Sequence, residues 1–211
     1  MSTRVTIIDY GVGNILSVRG AFDHCGAENV TTSDLSEIEK AERLVLPGVG
    51  AFGDCVGEMR AAGLVEPVLR FVQTGRPLLG ICVGMQMLLD DSEEFGRHEG
   101  LGLIPGSVVA IPQTGADGQP HRVPHMGWNR LIVDPSRSGA LLDGIDENAW
   151  VYFVHSFTAF PDDPSCRLAD ADYNGRKIAA VIGRGNVMGC QFHPEKSGEA
   201  GLSIIRNFLR I

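Results

Sequence analysis

The chain has 211 residues, 44% of them hydrophobic and 21% charged, a balance that excludes wholesale disorder and fits one compact domain spanning residues 1–211. Its formal net charge of −8 repels polyanions and argues against nucleic acid as a partner. No run approaches the ~20 apolar residues of a membrane helix, and the amino terminus enters Val5-Thr6-Ile7-Ile8-Asp9 without a basic-then-apolar leader, so the expectation is a cytoplasmic protein with no membrane contact.

In chain order, Val5 to Asp9 is a β-branched run that reads as a buried strand, stopped by Tyr10-Gly11-Val12-Gly13. Ile15, Val18 and Phe22 then recur at helical spacing up to Gly26. Leu44-Val45-Leu46 predicts a second strand, closed by Pro47-Gly48-Val49-Gly50, and Asp54 to Thr74 predicts helix with breaks at Gly63 and Pro67. Pro77 to Ile81 is a third strand, with a helix starting at once over Val83 to Leu89. From Gly96 to Pro135 short apolar runs such as Ser107 to Ile111 alternate with Gly, Pro and polar residues, which predicts an excursion of antiparallel strands and loops. Val151 to Val154 and Val187 to Phe192 are again strand-like, and Leu202, Ile205, Phe208 and Leu209 share one face of a terminal helix. The pattern predicts an α/β fold with a mostly parallel central sheet flanked by helices.

The sharpest local pattern is Gly80-Ile81-Cys82-Val83-Gly84, a nucleophile elbow with cysteine in the nucleophile position. Such a turn is strained, and glycines on both sides let the backbone close. The first turn of a helix also favours thiolate over thiol. Taken alone, the pentapeptide also fits a buried structural cysteine. A thiolate nucleophile needs an acid–base partner, and Gln191-Phe192-His193-Pro194-Glu195 offers one: His193 to transfer protons and Glu195 to hold the ring's other nitrogen. By itself this segment is equally a solvated turn. Pro47-Gly48-Val49-Gly50 is a candidate oxyanion hole, or an ordinary glycine turn. The five cysteines, Cys25, Cys55, Cys82, Cys166 and Cys190, are odd in number and contain no C-x-x-C pair, which argues against a disulfide framework and a zinc site. His24, His98, His121, His125 and His155 have no partner at ligand spacing, so no metal is expected; no cofactor is expected either.

With both motifs in view, the sequence resembles the class I, triad-type glutamine amidotransferases. Within that family it is similar to the branch that serves as glutaminase subunits of imidazole glycerol phosphate synthases. The narrower resemblance rests on Asp9 to Asn14, Leu46 to Phe52, Pro124-His125-Met126-Gly127-Trp128-Asn129, Tyr152 to Ser156 and Glu195-Lys196-Ser197, which span nearly the whole chain. It implies a single flavodoxin-like amidotransferase domain in which Cys82 attacks the side-chain amide of L-glutamine. His193 transfers protons, Glu195 orients His193, and a γ-glutamyl thioester forms and is hydrolysed. It further implies oxyanion donors at Val49, Gly50 and Val83, and glutamine contacts from Gln86, Ser156 and Phe157. Phe157 departs from the tyrosine common in the family, leaving only a backbone contact at that position. The implied partner is a separate barrel-fold cyclase subunit that consumes the ammonia to make imidazole glycerol phosphate and AICAR. Met126, Trp128 and Asn129 match the interface segment, and Asn14 and Lys196 match positions near the mouth of the ammonia passage. Trp128 also reads as a core residue. Two alternatives stand beside this reading: the glutaminase of another biosynthetic synthase, against which the Pro124–Asn129 tract argues, and a catalytically silent binding module, against which the intact Cys82, His193 and Glu195 argue.

Overall fold

A computed structural model describes residues 3–134, 136 and 139–211. Among these residues thirteen strands form two sheets. The strands are Arg4–Ile8 (β1), Glu28–Thr32 (β2), Leu44–Gly48 (β3), Leu78–Cys82 (β4), Asp91–Ser92 (β5), His98–Glu99 (β6) and Gly106–Ala110 (β7), followed by His125–Val133 (β8), Trp150–His155 (β9), Phe157–Pro161 (β10), Arg167–Tyr173 (β11), Arg176–Arg184 (β12) and Val187–Cys190 (β13). Six α-helices accompany them: Ile15–His24 (α1), Leu35–Lys40 (α2), Phe52–Ala61 (α3), Val65–Gln73 (α4), Val83–Gln86 (α5) and Gly198–Arg210 (α6). Among the described residues no helix is long and apolar enough to cross a membrane.

The large sheet has the order β2-β1-β3-β4-β13-β12-β11-β8-β9. Its first five strands pair in parallel, and from β13 to β9 every pairing is antiparallel. The sheet is therefore mixed rather than mostly parallel, and the antiparallel part reaches Arg184, well past the expected excursion. The excursion's expected limit, Pro135, lies outside the described residues. The smaller sheet has the order β10-β7-β5-β6, and its β10 packs against β12 of the main one.

β3 and β4 are buried along their whole length, as the apolar runs of strands covered on both faces require. After β2 the strand order reverses, so right-handed crossovers put α1 on one face and α2 to α4 on the other. The packing agrees: α1 rests on α6, and α2 on α4. Phe22 meets Phe208 edge to face at 6.3 Å, and α6 buries Ile204, Ile205, Phe208 and Leu209, each contributing roughly 1.5–3 kcal/mol. The long helix expected over Asp54–Thr74 is two helices broken at Gly63, which takes φ +70°. Pro67 causes no break, because it falls in the first turn of α4, where its missing N–H has no helical partner to lose.

Reversal of the strand order leaves a crevice at the carboxyl ends of β1, β3 and β4, where α/β folds bind ligands. Gly48 lies in register with Cys82, and Cys190 with Ile81, so the segments after β3, β4 and β13 converge there.

Candidate active site

Cys82 ends β4 and caps α5 with φ +55° and ψ −114°, a conformation that costs a non-glycine residue roughly 1–3 kcal/mol. Three neighbouring glycines hold it there. A β-carbon at Gly80 would stand 2.6 Å from the Gly84 carbonyl oxygen, and one at Gly48 would stand 2.7 Å from the Gly84 nitrogen. A β-carbon at Gly84 would run into the Leu46 carbonyl oxygen. Strand β3, strand β4 and helix α5 thus close on one another only because these positions lack side chains. Cys82 is left at the apex, with the Val83 N–H opening the first helical turn beside it.

The segment after β13 brings two side chains to the sulfur. Gln191 Nε2 lies 3.8 Å from Cys82 Sγ, and the His193 side chain lines the same cleft as the sulfur and interacts with it electrostatically. The His193 backbone is fixed at both ends: its N–H donates to Tyr152 O at 3.0 Å, and its carbonyl accepts from Ser197 Oγ at 2.6 Å. Glu195 turns back so that its Oε1 sits 2.8 Å from His193 Nδ1, with both side chains buried. The other carboxylate oxygen, Oε2, is buried and has no hydrogen-bond partner among the described residues, so the carboxylate is directed at the ring. Burial opposes charge on His193, but the hydrogen bonds and charges of Cys82 and Glu195 outweigh it and hold the imidazole up at about 9. Burial pushes the thiols of Cys25, Cys55, Cys166 and Cys190 upward, that of Cys55 to about 11. Those four are disfavoured as nucleophiles.

A cleft of about 270 Å³ opens over the sulfur. That is below the ~300–1,000 Å³ of drug-sized sites and suits a single amino acid. Of the residues singled out in the sequence, Val49, Gly50, Cys82, Val83, Gln86, Ser156, Phe157 and His193 line it; Glu195 sits behind His193. Gln86 Nε2 donates to Phe157 O at 3.1 Å and to Gln191 Oε1 at 3.0 Å. Its own amide oxygen is then left for a ligand. The turn after β3 is anchored from behind: Tyr10 Oη donates to Pro47 O at 2.6 Å, and Cys55 Sγ donates to Val49 O at 3.3 Å. These two carbonyls flank the Gly48–Val49 peptide.

Four residues without an expected role, Glu94, Tyr10, Gln191 and His155, also reach the cleft or its back wall. Glu94 lines the cleft and accepts the Phe52 N–H at 2.7 Å with Oε2, capping α3. It arrives on the turn after β5, and nothing local in the sequence marks it. Gln191 sits one residue past β13, so strand register alone points to it.

The expected interface residues lie elsewhere. Met126 and Trp128 stand on the outward face of β8, 61% and 53% exposed. They pair with Val154 and Tyr152 of edge strand β9, whose Trp150 is exposed as well. Asn129 is turned inward, donating to Asp172 O at 2.7 Å and bonded to His125 Nε2. Asn14 precedes α1, which packs against the turn 194–196, and Lys196 is exposed on that turn. Among the described residues, no group of three or more His, Cys, Asp or Glu is arranged to hold a metal ion.

Residues 6–211 match the family model described as glutamine amidotransferase class-I. Among curated relatives, imidazole glycerol phosphate synthase subunit HisH 1 of Legionella pneumophila (strain Lens) is 53% identical over 210 residues, covering 98% of this chain and 99% of its own. The subunit HisH of Syntrophotalea carbinolica is 49% identical over 205 residues, covering 97% and 98%. Among solved structures, PurLQS from Thermotoga maritima aligns with TM-score 0.72 at 20% identity over 100% of this chain and 99% of that one, a likeness of fold. A nucleophile elbow, a buried histidine–glutamate pair and a match over nearly the whole length lead to one conclusion: the chain belongs to the class I glutamine amidotransferases.

Proposed function

We propose that the chain is the glutaminase subunit of an imidazole glycerol phosphate synthase, one amidotransferase domain over residues 1–211. In this reading it hydrolyses L-glutamine in the cytoplasm and passes the ammonia to a separate barrel-fold cyclase of the HisF type. The observation that carries the reading is the Cys82–His193–Glu195 constellation inside a cleft the size of one amino acid. It is supported by the names of relatives about half identical over their full length.

Cys82 Sγ attacks the side-chain carbonyl carbon of glutamine. Negative charge develops on that oxygen and is met by N–H groups of Val83 and of the Val49–Gly50 turn. His193 delivers its proton to the departing nitrogen, which leaves as ammonia, and a γ-glutamyl thioester remains. His193, now neutral, takes a proton from water as the water attacks the thioester, and glutamate leaves with Sγ restored. Glu195 keeps the ring in place through Nδ1. The free oxygen of Gln86, Ser156 and the Phe157 backbone hold the substrate, and Glu94 faces its ammonium group. Ammonium has no lone pair to attack with, so the product must travel shielded from water. Asn14 and Lys196 stand at the start of such a route, and the exposed Met126, Trp128 and Trp150 offer an apolar face for the cyclase.

The test is glutamate release with and without the cyclase and its nucleotide ligand. In this reading the Gly48–Gly50 peptide reorients to form the oxyanion hole when the loaded cyclase binds, so the isolated chain turns over slowly and the loaded cyclase accelerates it. Equal rates in both conditions contradict the switching. Cys82→Ala abolishes release and leaves assembly intact; residual turnover near wild type removes Cys82 from its role.

A further inference from the structure

Two buried histidines outside the triad form a hydrogen-bond chain whose direction is fixed at both ends. His155 Nδ1 lies 2.7 Å from the Phe157 carbonyl oxygen. A carbonyl only accepts, so Nδ1 carries the proton. Burial holds His155 well below its ordinary value, at about 3, so the ring is neutral and its Nε2 has only a lone pair. That nitrogen lies 3.0 Å from His125 Nδ1, which must then be the donor. His125 is held neutral by burial as well, down to about 4, so its Nε2 accepts, and Asn129 Nδ2 stands 3.2 Å away. The Asn129 amide cannot be turned around. Its oxygen accepts the Arg130 N–H at 2.7 Å and its nitrogen donates to Asp172 O.

The rings have little freedom to break the chain. His125 stacks on Phe153 at 4.6 Å and lies against Tyr173 at 4.2 Å. The chain ends on the same Phe157 oxygen that accepts from Gln86, and Phe157, Gln86 and His155 all line the cleft. It begins on β8, the strand that carries Met126 and Trp128.

We propose that His125 and His155 are positioning residues for glutamine binding: a one-way hydrogen-bond chain from Asn129 through both rings fixes the Phe157 peptide and, through it, the Gln86 amide. The proposal rests on glutamine occupying this cleft. Its structural half, the direction of the chain, stands independently of that reading. Without the His155 donor, the Phe157 oxygen relies on Gln86 alone. The substrate-facing amide of Gln86 then loses its fixed orientation, a loss felt in binding rather than in bond breaking.

The first experiment is nitrogen-15 NMR of the intact, histidine-labelled chain at neutral pH. His125 and His155 are expected as neutral rings, both protonated on Nδ1; either ring protonated on Nε2 overturns the chain. The second is glutamate release by the complex with the cyclase. His155→Asn keeps a donor near the Nδ1 position, and His155→Leu removes it. The leucine variant is expected to raise KM for glutamine about tenfold, the scale of one lost hydrogen bond, with kcat within about threefold; the asparagine variant restores KM to within about threefold of wild type. A wild-type KM in His155→Leu, or equal losses in both variants, overturns the positioning role. If His155→Leu does not fold, Asn129→Asp serves instead. Its carboxylate cannot donate, so the His125 proton is expected on Nε2 in the same spectrum, and an unchanged spectrum overturns the chain. A wild-type complex that releases no glutamate refutes the proposed function, while the spectrum still decides the direction of the chain.

Discussion

Replacing Cys82 by alanine and by glycine separates the strain of the elbow from the chemistry of the sulfur. Both variants lose the same thiol and its contacts, so the difference between them isolates the β-carbon at φ +55°. The native conformation costs a residue with a β-carbon roughly 1–3 kcal/mol, which glycine does not incur. Against that, glycine gives the unfolded chain extra freedom worth about 0.4–1 kcal/mol in favour of alanine. The net runs from about zero to ~2.6 kcal/mol toward Cys82→Gly, with a midpoint of ~1.3 kcal/mol. At ~2–4 °C per kcal/mol for a chain of this size, the glycine variant melts roughly 3–5 °C higher than the alanine variant at that midpoint. Thermal unfolding followed by circular dichroism at one pH and scan rate measures this. Neither variant releases glutamate. An alanine variant more stable than the glycine variant would refute the reasoning that Gly48, Gly80 and Gly84 force residue 82 into a strained turn.

Gly84→Ala drives a β-carbon into the Leu46 carbonyl of a fully buried strand, and an overpacking cost of ~1–3 kcal/mol lowers Tm by roughly 2–12 °C; an unchanged melting curve contradicts the close packing of β3 on α5. The folded-state value of His193, about 9, is above its ordinary ~6.5, so its contribution to stability is complete below that ordinary value and is lost as pH rises through about 9. Glu195→Gln weakens that effect, so its deficit in Tm shrinks between pH 6.5 and 9; a deficit independent of pH argues against a charged ring. His125 and His155 have the opposite sign. Their folded values are depressed to about 4 and about 3, so acidification below about 6.5 costs stability as the unfolded chain takes up protons first, and His155→Asn flattens that limb of the Tm profile. Trp128→Ala leaves the isolated chain stable, because the ring is half exposed, and weakens cyclase binding about 30-fold, the ~2 kcal/mol of an interface anchor. Calorimetric titration measures the latter, and wild-type affinity removes Trp128 from the interface.

The parallel half of the fold is legible because strands buried on both faces read as unbroken apolar runs and each ends in a glycine turn. β2 escapes this reading: Glu28-Asn29-Val30-Thr31-Thr32 is a half-exposed edge strand with a polar sequence. Helix α2 is short, but Asp34, whose side chain accepts the N–H groups of Ser36 and Glu37, is a cap that spacing alone could have found. The antiparallel strands β11 and β12 carry mixed patterns, and β10 follows β9 after a single residue, so the boundary has no turn signal. In the site, Cys82, His193 and Glu195 are legible because their chemistry sits in short local motifs. Glu94, His155 and Tyr10 are not, since each reaches the cleft or its back wall from another strand through tertiary packing.

During turnover the Cys82 sulfur is expected to carry the glutamyl group. The complex with the cyclase, acid-quenched during steady-state hydrolysis of glutamine and mapped by peptide mass spectrometry, tests this directly. A single glutamyl adduct is expected on the peptide containing Cys82, absent when glutamine is omitted. Sustained glutamate release by a Cys82→Ala complex, or an adduct on Cys55 with Cys82 unmodified, would contradict it.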